Sequence, residues 1–502
     1  MAGKDVCEST ALPPGHAKSS TEVESPALRP SPPTRVGRWV FPRLWSLGLG
    51  QNLRRLRPDR LEISVLLVLS LAAVYQLFVE PIVGIADNRD FARLMDPAGL
   101  DYPSVASYRE SVFQFVETKF VSAKVYTYRY LTSERPILGI ARLLNRLVSK
   151  DGKFDVRSLG FCNLALYVGA VFILLRAFRS AGLARRLLVA GSVLLICTDV
   201  GLAAYFNSFY CESASIIFMF STLGLALLCI QGARQGPTAW LLWAGYMGSS
   251  FLFWTAKSQN IAFAPCLVLG AWCFFPCSRL RGRSYLRVIG TAAIPVAVVW
   301  AFAVGAYGDT VPANAQVVLA EEILPHSPRP AADRQELGAE TGGPTLYRVA
   351  RFYAHHPIRW WQMSQRQAKE AFGYPLLGNF SRESGLGPRA QSQAFNLWSE
   401  LKKAHYPRNL TSLIGFLTTY CILAGMKARW LDRGRVARMT TLVGPVLGLG
   451  SALEFVATVT FEANGTAKHL FIFNVAVDIC LLLALLSLAD AAAQRRRRWV
   501  TA

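Results

Sequence analysis

The chain has 502 residues, of which 52% are hydrophobic and only 17% are charged, and its mean hydropathy is +0.29. Soluble proteins carry about a quarter charged residues, so this composition argues against a soluble globule and excludes a mainly disordered chain, a collagen and a small disulfide scaffold. A net charge of +22 would favour nucleic-acid binding in a soluble protein, but here basic clusters alternate with apolar runs, which favours the lipid bilayer and no nucleic acid as the partner.

The two ends of the chain are polar and basic. Residues 1–60 are rich in Pro, Ser, Thr and Arg and have no apolar run long enough for a signal peptide, which predicts a disordered, basic cytoplasmic tail. Trp45 and several arginines between residues 41 and 60 indicate a segment that lies on an anionic membrane surface. Residues 490–502 are predicted to form a second basic cytoplasmic tail.

Residues 61–489 are predicted to form one transmembrane domain. Its apolar runs are about twenty residues long, enough for a helix to cross about 30 Å of hydrocarbon. Pro265 and Pro276 interrupt one run, which indicates a kinked or re-entrant element. The predicted fold class is an all-α polytopic membrane protein with about ten transmembrane helices. The predicted spans are 62–84, 158–178, 187–206, 213–231, 238–256, 260–277, 288–308, 410–426, 439–459 and 468–489.

The charge of the connections predicts the orientation of this domain. Arginine-rich connections, such as those at residues 176–186 and 427–438, alternate along the chain with connections that lack such clusters. By the positive-inside rule, the basic connections and both termini are predicted to lie on the cytoplasmic side of the cell membrane. The opposite side then receives two large exterior loops, over residues 86–157 and 309–409.

Both large loops are predicted to contain helices. Pro136 opens a run with helical hydrophobic spacing, which predicts an amphipathic helix on the membrane or on neighbouring helices. In the second loop, the pattern of residues 344–355 and 357–372 predicts two helices that carry both aromatic and basic residues. Two interpretations of these helices remain open, namely packing at the membrane interface and a phosphate-binding face.

The first candidate site follows the first predicted span. Asp87 and Asp90 lie three residues apart beside lipid, with Arg89 between them. Desolvation raises the pKa of a carboxyl and nearby arginines lower it, so either acid is suited to act as a general base or to stay ionised and orient a substrate. A solvated loop with ordinary salt bridges is the alternative.

Two further exterior turns contain polar residues that a spanning helix does not require. Tyr210 and Glu212 precede or begin the fourth predicted span, where a carboxylate also has a structural explanation as a charge at a helix N-terminus. Lys257 and Gln259 follow the fifth span, and Lys257 is also explained by snorkelling to the membrane interface.

The last exterior turn is the densest in ionisable residues. Glu462 precedes Lys468 and His469, which stand at the start of the last predicted span. Cations at a helix N-terminus oppose the helix dipole, so a bound anion such as a lipid phosphate would compensate them. The alternative is that they pair with Glu462 or with Asp478, which lies deeper in the span.

Taken in order, these residues resemble the GT-C superfamily of membrane glycosyltransferases, and within it the hexose transferases of bacterial glycan biosynthesis. The resemblance covers nearly the whole chain beyond the tail, and the last of its motifs is the best. Arg89 is a departure, since a small residue is expected between the two acids. The stretches that carry the resemblance are Asp87-Asn88-Arg89-Asp90-Phe91, Tyr210-x-Glu212, Lys257-x-Gln259, Glu322-Ile323-Leu324-Pro325-x-Ser327 and Lys468-His469-Leu470-x-x-Phe473-Asn474-x-x-x-Asp478.

The resemblance implies an integral membrane enzyme that takes a sugar from a polyprenyl-phosphate donor, with Asp87 and Asp90 as the catalytic centre. We expect transfer of a hexose to a glycan or lipid-linked acceptor on the non-cytoplasmic face, by an inverting displacement in which one acid takes the acceptor proton. Cationic residues would stabilise the leaving phosphate, and the acidic pair leaves open a divalent cation as cofactor. The candidate substrate-binding residues are Arg89, Tyr210, Glu212, Lys257, Gln259, Glu462, Lys468 and His469.

Two other functions remain open. A transporter or flippase of lipid-linked sugars also needs about ten helices, although this chain has no internal repeat and its polar residues gather at the outer mouths of the helices. A polysaccharide ligase or polymerase also presents a large basic exterior loop. Its chemistry would fall to Arg351, His355, His356 and Arg359.

Overall fold

The computed structural model describes residues 58–125, 132–232, 237–274, 310–339, 342–371, 379–406, 408–430, 435–462 and 466–501. Most of the predicted N-terminal tail and the predicted span over residues 288–308 lie outside these ranges. The described part of the chain is mostly helical.

In the first half of the chain, short elements lie between long apolar helices. The elements are α1 (Arg60–Phe78), α2 (Ala92–Ala98), β1 (Leu100–Asp101), α3 (Val105–Ser111), β2 (Lys119–Ser122), α4 (Glu134–Val148), β3 (Phe154–Asp155), α5 (Val156–Ala177), α6 (Leu183–Cys197), α7 (Val200–Ala203), α8 (Glu212–Gly232), α9 (Pro237–Ala256) and α10 (Ala264–Phe274). Two 3-10 turns accompany them, at Ala204–Asn207 and Ser258–Phe263.

In the second half, five helices of the large loop precede the last long helices. The elements are α11 (Thr310–Val317), α12 (Pro330–Glu336), α13 (Leu346–His355), α14 (Pro357–Ala368), α15 (Leu397–His405), α16 (Leu410–Trp430), α17 (Arg435–Phe461), α18 (Thr466–His469) and α19 (Phe471–Thr501). The helices predicted within both large loops correspond to α4, α13 and α14. α19 also includes most of the segment predicted as the C-terminal tail.

Five helices of the described residues are long and apolar enough to cross a membrane, and a sixth span results if the bent pair Leu183–Cys197 and Val200–Asn207 counts as one. Two shorter apolar helices, Ser258–Ala271 and Leu410–Leu423, fall where two more spans were predicted. The chain is therefore a helical membrane protein, but the described residues account for fewer spans than the ten predicted. The five are Arg60–Phe78, Val156–Ala177, Glu212–Gln231, Leu442–Phe461 and Phe471–Ala489.

Two predicted spans end differently in the structure. α1 ends at Phe78 rather than at residue 84. Pro81 has no backbone N–H and disfavours a helical conformation at the residue before it, so the helix does not extend past this point. The span predicted over 187–206 is broken at Asp199, whose side chain accepts the backbone N–H of Gly201 at 2.8 Å, and the two parts are bent by 57°.

A small sheet in the first large loop corrects the prediction of an all-α chain. β2 pairs antiparallel with both β1 and β3. The three strands have only two to four residues, so no alternating pattern is visible in the sequence. Phe120 of β2 is fully buried and contacts Phe209 edge to face at 4.8 Å, which ties the sheet to the helical core.

The buried apolar residues form two clusters. The larger one joins α1, α5, α6 and α8, and the smaller one joins α13 and α14 of the second large loop to α16 and α17. α19 contributes to both, since Ile472 belongs to the larger cluster and Phe473 to the smaller. The last span therefore connects the membrane core with the second large loop.

A buried ion pair fastens α15 to the last span. Lys402 of α15 donates to Asp478 of α19 at 2.9 Å, and neither side chain is exposed. Asp478 also accepts the indole N–H of Trp398 at 3.0 Å and the hydroxyl of Tyr406 at 3.3 Å. Residues of the second large loop thus supply the hydrogen-bond and ion-pair partners of Asp478. Asp478 does not pair with Lys468 or His469, which was the alternative that the sequence left open.

This pair predicts a difference between two neighbouring lysines. Lys402→Met should lower the free energy of unfolding by about 3–5 kcal/mol because it leaves Asp478 as an uncompensated buried charge. Lys403→Met should change it by no more than about 1 kcal/mol, because Lys403 pairs with Glu400 on the surface. Thermal unfolding of both variants in the same detergent measures the difference. Equal melting temperatures would contradict the assignment, and Lys402→Met combined with Asp478→Asn should recover part of the loss.

Candidate functional site

Asp87 is the buried centre of the segment that follows α1. Its carboxylate accepts the backbone N–H of Phe91 at 3.1 Å and the hydroxyl of Tyr102 at 3.0 Å. Burial raises the pKa of Asp87 above its ordinary value, and these two hydrogen bonds oppose the shift. Because both oxygens are engaged and the residue is only 3% exposed, Asp87 holds the shape of the segment rather than facing a substrate directly.

Asp90 joins the first large loop to the last exterior turn. It forms ion pairs with Lys468, 378 residues later in the chain, and with Arg93 at 3.0 Å. Burial alone would raise the pKa of Asp90, but the charges of Lys468 and Arg93 hold it well below its usual range. Its side chain is 20% exposed, so Asp90 is the ionised and accessible member of the acidic pair.

Tyr210 connects the acidic segment to the turn before α8. Its hydroxyl oxygen accepts the backbone N–H of Asn88 at 2.9 Å. The hydroxyl proton points to Asn88 Oδ1 at 2.8 Å or to the carbonyl oxygen of Ala86 at 3.0 Å. Lys468 Nζ donates to the same Asn88 Oδ1 at 3.2 Å and lies 4.3 Å from the centre of the Tyr210 ring. Tyr210 therefore positions both the acidic segment and Lys468.

Glu212 and Lys257 form a second buried ion pair. Glu212 is the first residue of α8, as predicted, and Lys257 follows α9. Lys257 Nζ lies 2.8 Å from Glu212 Oε1, and the two side chains are 8% and 2% exposed. The structure is therefore compatible with a charge at the helix N-terminus for Glu212, but Lys257 is buried in the protein and does not snorkel to an interface.

Gln259, Glu462 and His469 meet beside the Asp90–Lys468 pair. Gln259 Nε2 lies 3.0 Å from Glu462 Oε1 and 2.7 Å from His469 Nδ1. Glu462 also accepts the side-chain amide of Asn314 at 3.0 Å. Burial raises the pKa of Glu462, whereas burial and the charge of Lys257 lower the pKa of His469 well below its ordinary value. His469 is therefore neutral at pH 7 and acts by hydrogen bonding.

Arg89 does not belong to this cluster. Its side chain is exposed and its guanidinium lies 5.9 Å from the centre of the Phe113 ring. Its φ of 80° is in the left-handed region, which residues with a Cβ rarely adopt. This backbone conformation gives a physical reason why a small residue is expected at this position, and it turns the long arginine side chain away from the two acids.

Two residues that the sequence did not single out, Asn314 and Glu134, complete the site. Glu134 is fully buried and accepts the backbone N–H of Ala214, in the first turn of α8, at 2.8 Å. Burial raises the pKa of Glu134 to about 8. In the sequence, Glu134 stands out only by its position at the start of an amphipathic helix. The hydrophobic spacing predicted that this helix begins two residues later, at Pro136.

The residues that a ligase or polymerase would use lie in a different ion-pair network. His355 and His356 both face Glu336, with His356 at 3.2 Å, and Arg359 pairs with Asp333 at 2.7 Å. Among the described residues, no hydrogen bond or ion pair joins His355, His356 or Arg359 to Asp87 or Asp90. Glu322, from the fourth motif of the resemblance, pairs with Arg366 at 3.2 Å within the same loop.

The acidic pair is a poor fit for a divalent cation. Asp87 accepts two hydrogen bonds, and Asp90 is paired with Lys468 and Arg93, so each of the four carboxylate oxygens already has a partner. Within the part of the chain that the structure describes, no group of three or more His, Cys, Asp or Glu residues is placed to hold a metal ion.

Comparison with known proteins gives a family. The family model of the YfdI N-terminal transmembrane domain matches residues 51–341 and 344–500, which include every candidate site residue. The family consists of membrane glycosyltransferase-like proteins. The comparisons with curated proteins and with solved structures gave no significant match.

Substitution by phenylalanine should change the free energy of unfolding differently at Tyr210 and at Tyr205. Tyr210→Phe should lower the free energy of unfolding by about 1 kcal/mol, because the amide of Asn88 loses its acceptor. Tyr205→Phe should be neutral or stabilising, because the buried Tyr205 hydroxyl has no hydrogen-bond partner in the described structure. Thermal unfolding compares the two variants. Equal destabilisation would show that the Tyr210 hydroxyl does not hold the acidic segment.

Proposed function

The chain belongs to the family of the YfdI N-terminal transmembrane domain, and on this premise we propose that it is a membrane glycosyltransferase of the GT-C type. The proposed reaction transfers a hexose from a polyprenyl-phosphate donor to a glycan or lipid-linked acceptor. It takes place on the non-cytoplasmic face of the cell membrane and inverts the configuration of the anomeric carbon.

The pairing of Asp90 with Lys468 is the observation that carries this proposal. Transfer from a sugar phosphate needs a base for the acceptor hydroxyl and a cation for the departing phosphate. Asp90 supplies a carboxylate, and Lys468 and Arg93 supply positive charge within contact distance of it. A polyprenyl chain stays in the bilayer, so a site at the mouths of transmembrane helices suits a donor of this kind.

We propose that donor binding releases Asp90 from its ion pair with Lys468. The donor phosphate is a diester with one negative charge, and it offers Lys468 a second anionic partner that draws it away from Asp90. Lys468 makes the largest contribution among the charges that lower the pKa of Asp90, and its departure raises that pKa. Asp90 is thereby kept from reacting in the empty site and becomes a stronger base once the donor is in place.

In the proposed step, the acceptor hydroxyl oxygen forms a bond to the anomeric carbon while the bond from that carbon to the phosphate oxygen breaks. The hydroxyl proton passes to Asp90, and the bonding electrons leave with the polyprenyl phosphate. Lys468 stabilises the negative charge on the leaving phosphate, and neutral His469 donates a hydrogen bond to it. Asp87 is a positioning residue that keeps Asp90 in the orientation this step requires.

Glu212 and Glu462 limit the positive charge of the empty site. Glu212 neutralises Lys257, and Glu462 accepts hydrogen bonds from Gln259 and Asn314. Charges near lipid are costly without partners, so Glu212 holds Lys257 in place until a phosphate binds, and Glu462 holds the two amide side chains. We propose that Tyr210, Lys257 and Gln259 contribute to donor binding through this network, while Arg89 contacts substrate only if it turns inward.

Substitution of the acidic pair tests the reaction. Asp90→Asn should lower kcat for transfer from a radiolabelled polyprenyl-phosphate hexose in membranes by at least about 100-fold, because it removes the base. Asp87→Asn should lower kcat together with the melting temperature, because it weakens the acidic segment. Asp96→Asn, an isosteric change in the same loop, should leave the rate unchanged.

The same assay distinguishes the rival functions. Label that crosses the membrane without transfer would indicate a transporter or flippase, and dependence on a diphosphate-linked glycan would indicate a ligase or polymerase. Full turnover in both Asp87→Asn and Asp90→Asn would end the proposal of this catalytic centre.

Chelation tests whether the acidic pair works without a divalent cation. Because Lys468 and Arg93 occupy the oxygens of Asp90, we expect transfer to continue at its full rate in excess EDTA. Readdition of magnesium or manganese should then have no effect. A loss of activity that manganese restores would show that these residues rearrange around a metal ion during the reaction.

A further inference from the structure

A polar cleft borders the acidic segment. It is open to solvent and lies between the backbone near Ile85, α7 and the segment that leads into α15. The cleft shares no residue with the cationic cluster of Lys257, Lys468 and His469.

The cleft is continuous with the catalytic segment. Ile85 lines it and precedes Asp87 by two residues, a distance of at most about 7 Å along an extended backbone. The backbone N–H of Gly84 donates to the carbonyl oxygen of Asn379, another lining residue, at 2.9 Å. Val83 and Phe380 form an antiparallel bridge beside this bond. The wall of the cleft and the acidic segment are thus one connected piece of backbone.

Side-chain amides are the characteristic feature of this lining. Four of them surround the cleft, together with two serine hydroxyls; the amides are Asn379, Gln391, Gln393 and Asn396. An amide offers both a donor and an acceptor, as a sugar hydroxyl does, so such a lining suits a ligand with many hydroxyl groups. Asn396 donates to Gln393 Oε1 at 2.7 Å, which leaves the amide nitrogen of Gln393 and the oxygen of Asn396 for a ligand.

The charge of the cleft argues against a phosphate. Lys403 is the one cationic residue of the lining, and it is paired with Glu400, also in the lining, at 2.7 Å. A phosphate needs cationic partners, and in the described site Lys257 and Lys468 lie around the acidic segment rather than in this lining. The cleft therefore fits a neutral, hydroxylated ligand.

We propose that this cleft binds the sugar of the acceptor and presents its hydroxyl group to Asp90. This inference rests on the proposed transfer reaction and adds to it a separate place for the acceptor. The donor phosphate and the acceptor sugar then bind to different groups of residues, and both groups border the acidic segment.

Saturation-transfer NMR on the full chain in lipid nanodiscs tests the cleft without relying on activity. The probes are methyl glucoside, methyl galactoside and methyl mannoside. We expect at least one of them to bind the unaltered protein, and Gln391→Leu to weaken that binding by roughly tenfold or more, because Gln391 has no hydrogen-bond partner in the described structure and is available to a ligand. Gln335→Leu, on the exposed face of α12, is the matched control and should leave binding unchanged.

A second variant distinguishes a loss of sugar binding from a loss of folding. Gln393 is exposed, so Gln393→Leu should keep the melting temperature while it also weakens sugar binding. Absence of binding by the unaltered protein, or equal binding in all variants, would overturn the acceptor cleft even if sugar transfer occurs. Binding that both cleft substitutions weaken would support the cleft even if Asp90→Asn kept full turnover, so the two proposals fail separately. In the transfer assay, the cleft variants should raise the KM for acceptor and leave the KM for donor unchanged.

Discussion

A charge beside lipid must have a partner, and this constraint organises the whole site. Water does not solvate ionisable groups at the inner ends of the helix mouths, so each of them is stable only next to an opposite charge or a hydrogen-bond donor. The ion pairs that meet this requirement in the described structure include Asp90 with Lys468, Glu212 with Lys257, and Lys402 with Asp478. Each joins residues that are far apart in the sequence. The pairing of charges therefore also fixes which segments lie together.

The three pairs have different consequences because they differ in exposure. Lys402 and Asp478 are fully enclosed, with an indole and a phenol as further partners, so this pair has no place for a ligand. Asp90 is partly exposed, so an anion can compete for Lys468. The same electrostatic rule thus gives a structural anchor at α15 and an exchangeable contact at the acidic segment. The proposed transfer from a phosphate donor requires a contact of the second kind.

The sequence predicted which candidate residues lie together better than it predicted their contacts. Of the ten candidate residues, only Arg89 lies apart from the others. The partners of the cations were undecided, because Glu462 and Asp478 are near Lys468 in sequence whereas Asp90 is 378 residues away. Glu134 escaped notice because hydrophobic spacing marks the apolar face of an amphipathic helix and says nothing about a carboxylate in its first turn. The sheet was missed for a similar reason, since strands of two to four residues have no visible period.

The sequence by itself determined that the protein is a helical membrane protein and which short polar segments interrupt its apolar runs. Hydropathy and helical periodicity are local properties, and twenty apolar residues have few alternatives to a helix in lipid. Only the tertiary structure decided that the span predicted over residues 187–206 is broken at Asp199, that Asp87 is enclosed while Asp90 is accessible, and that amide side chains surround a cleft next to them. These features depend on contacts between distant segments, and the energy of such contacts is not encoded in any single stretch of the chain.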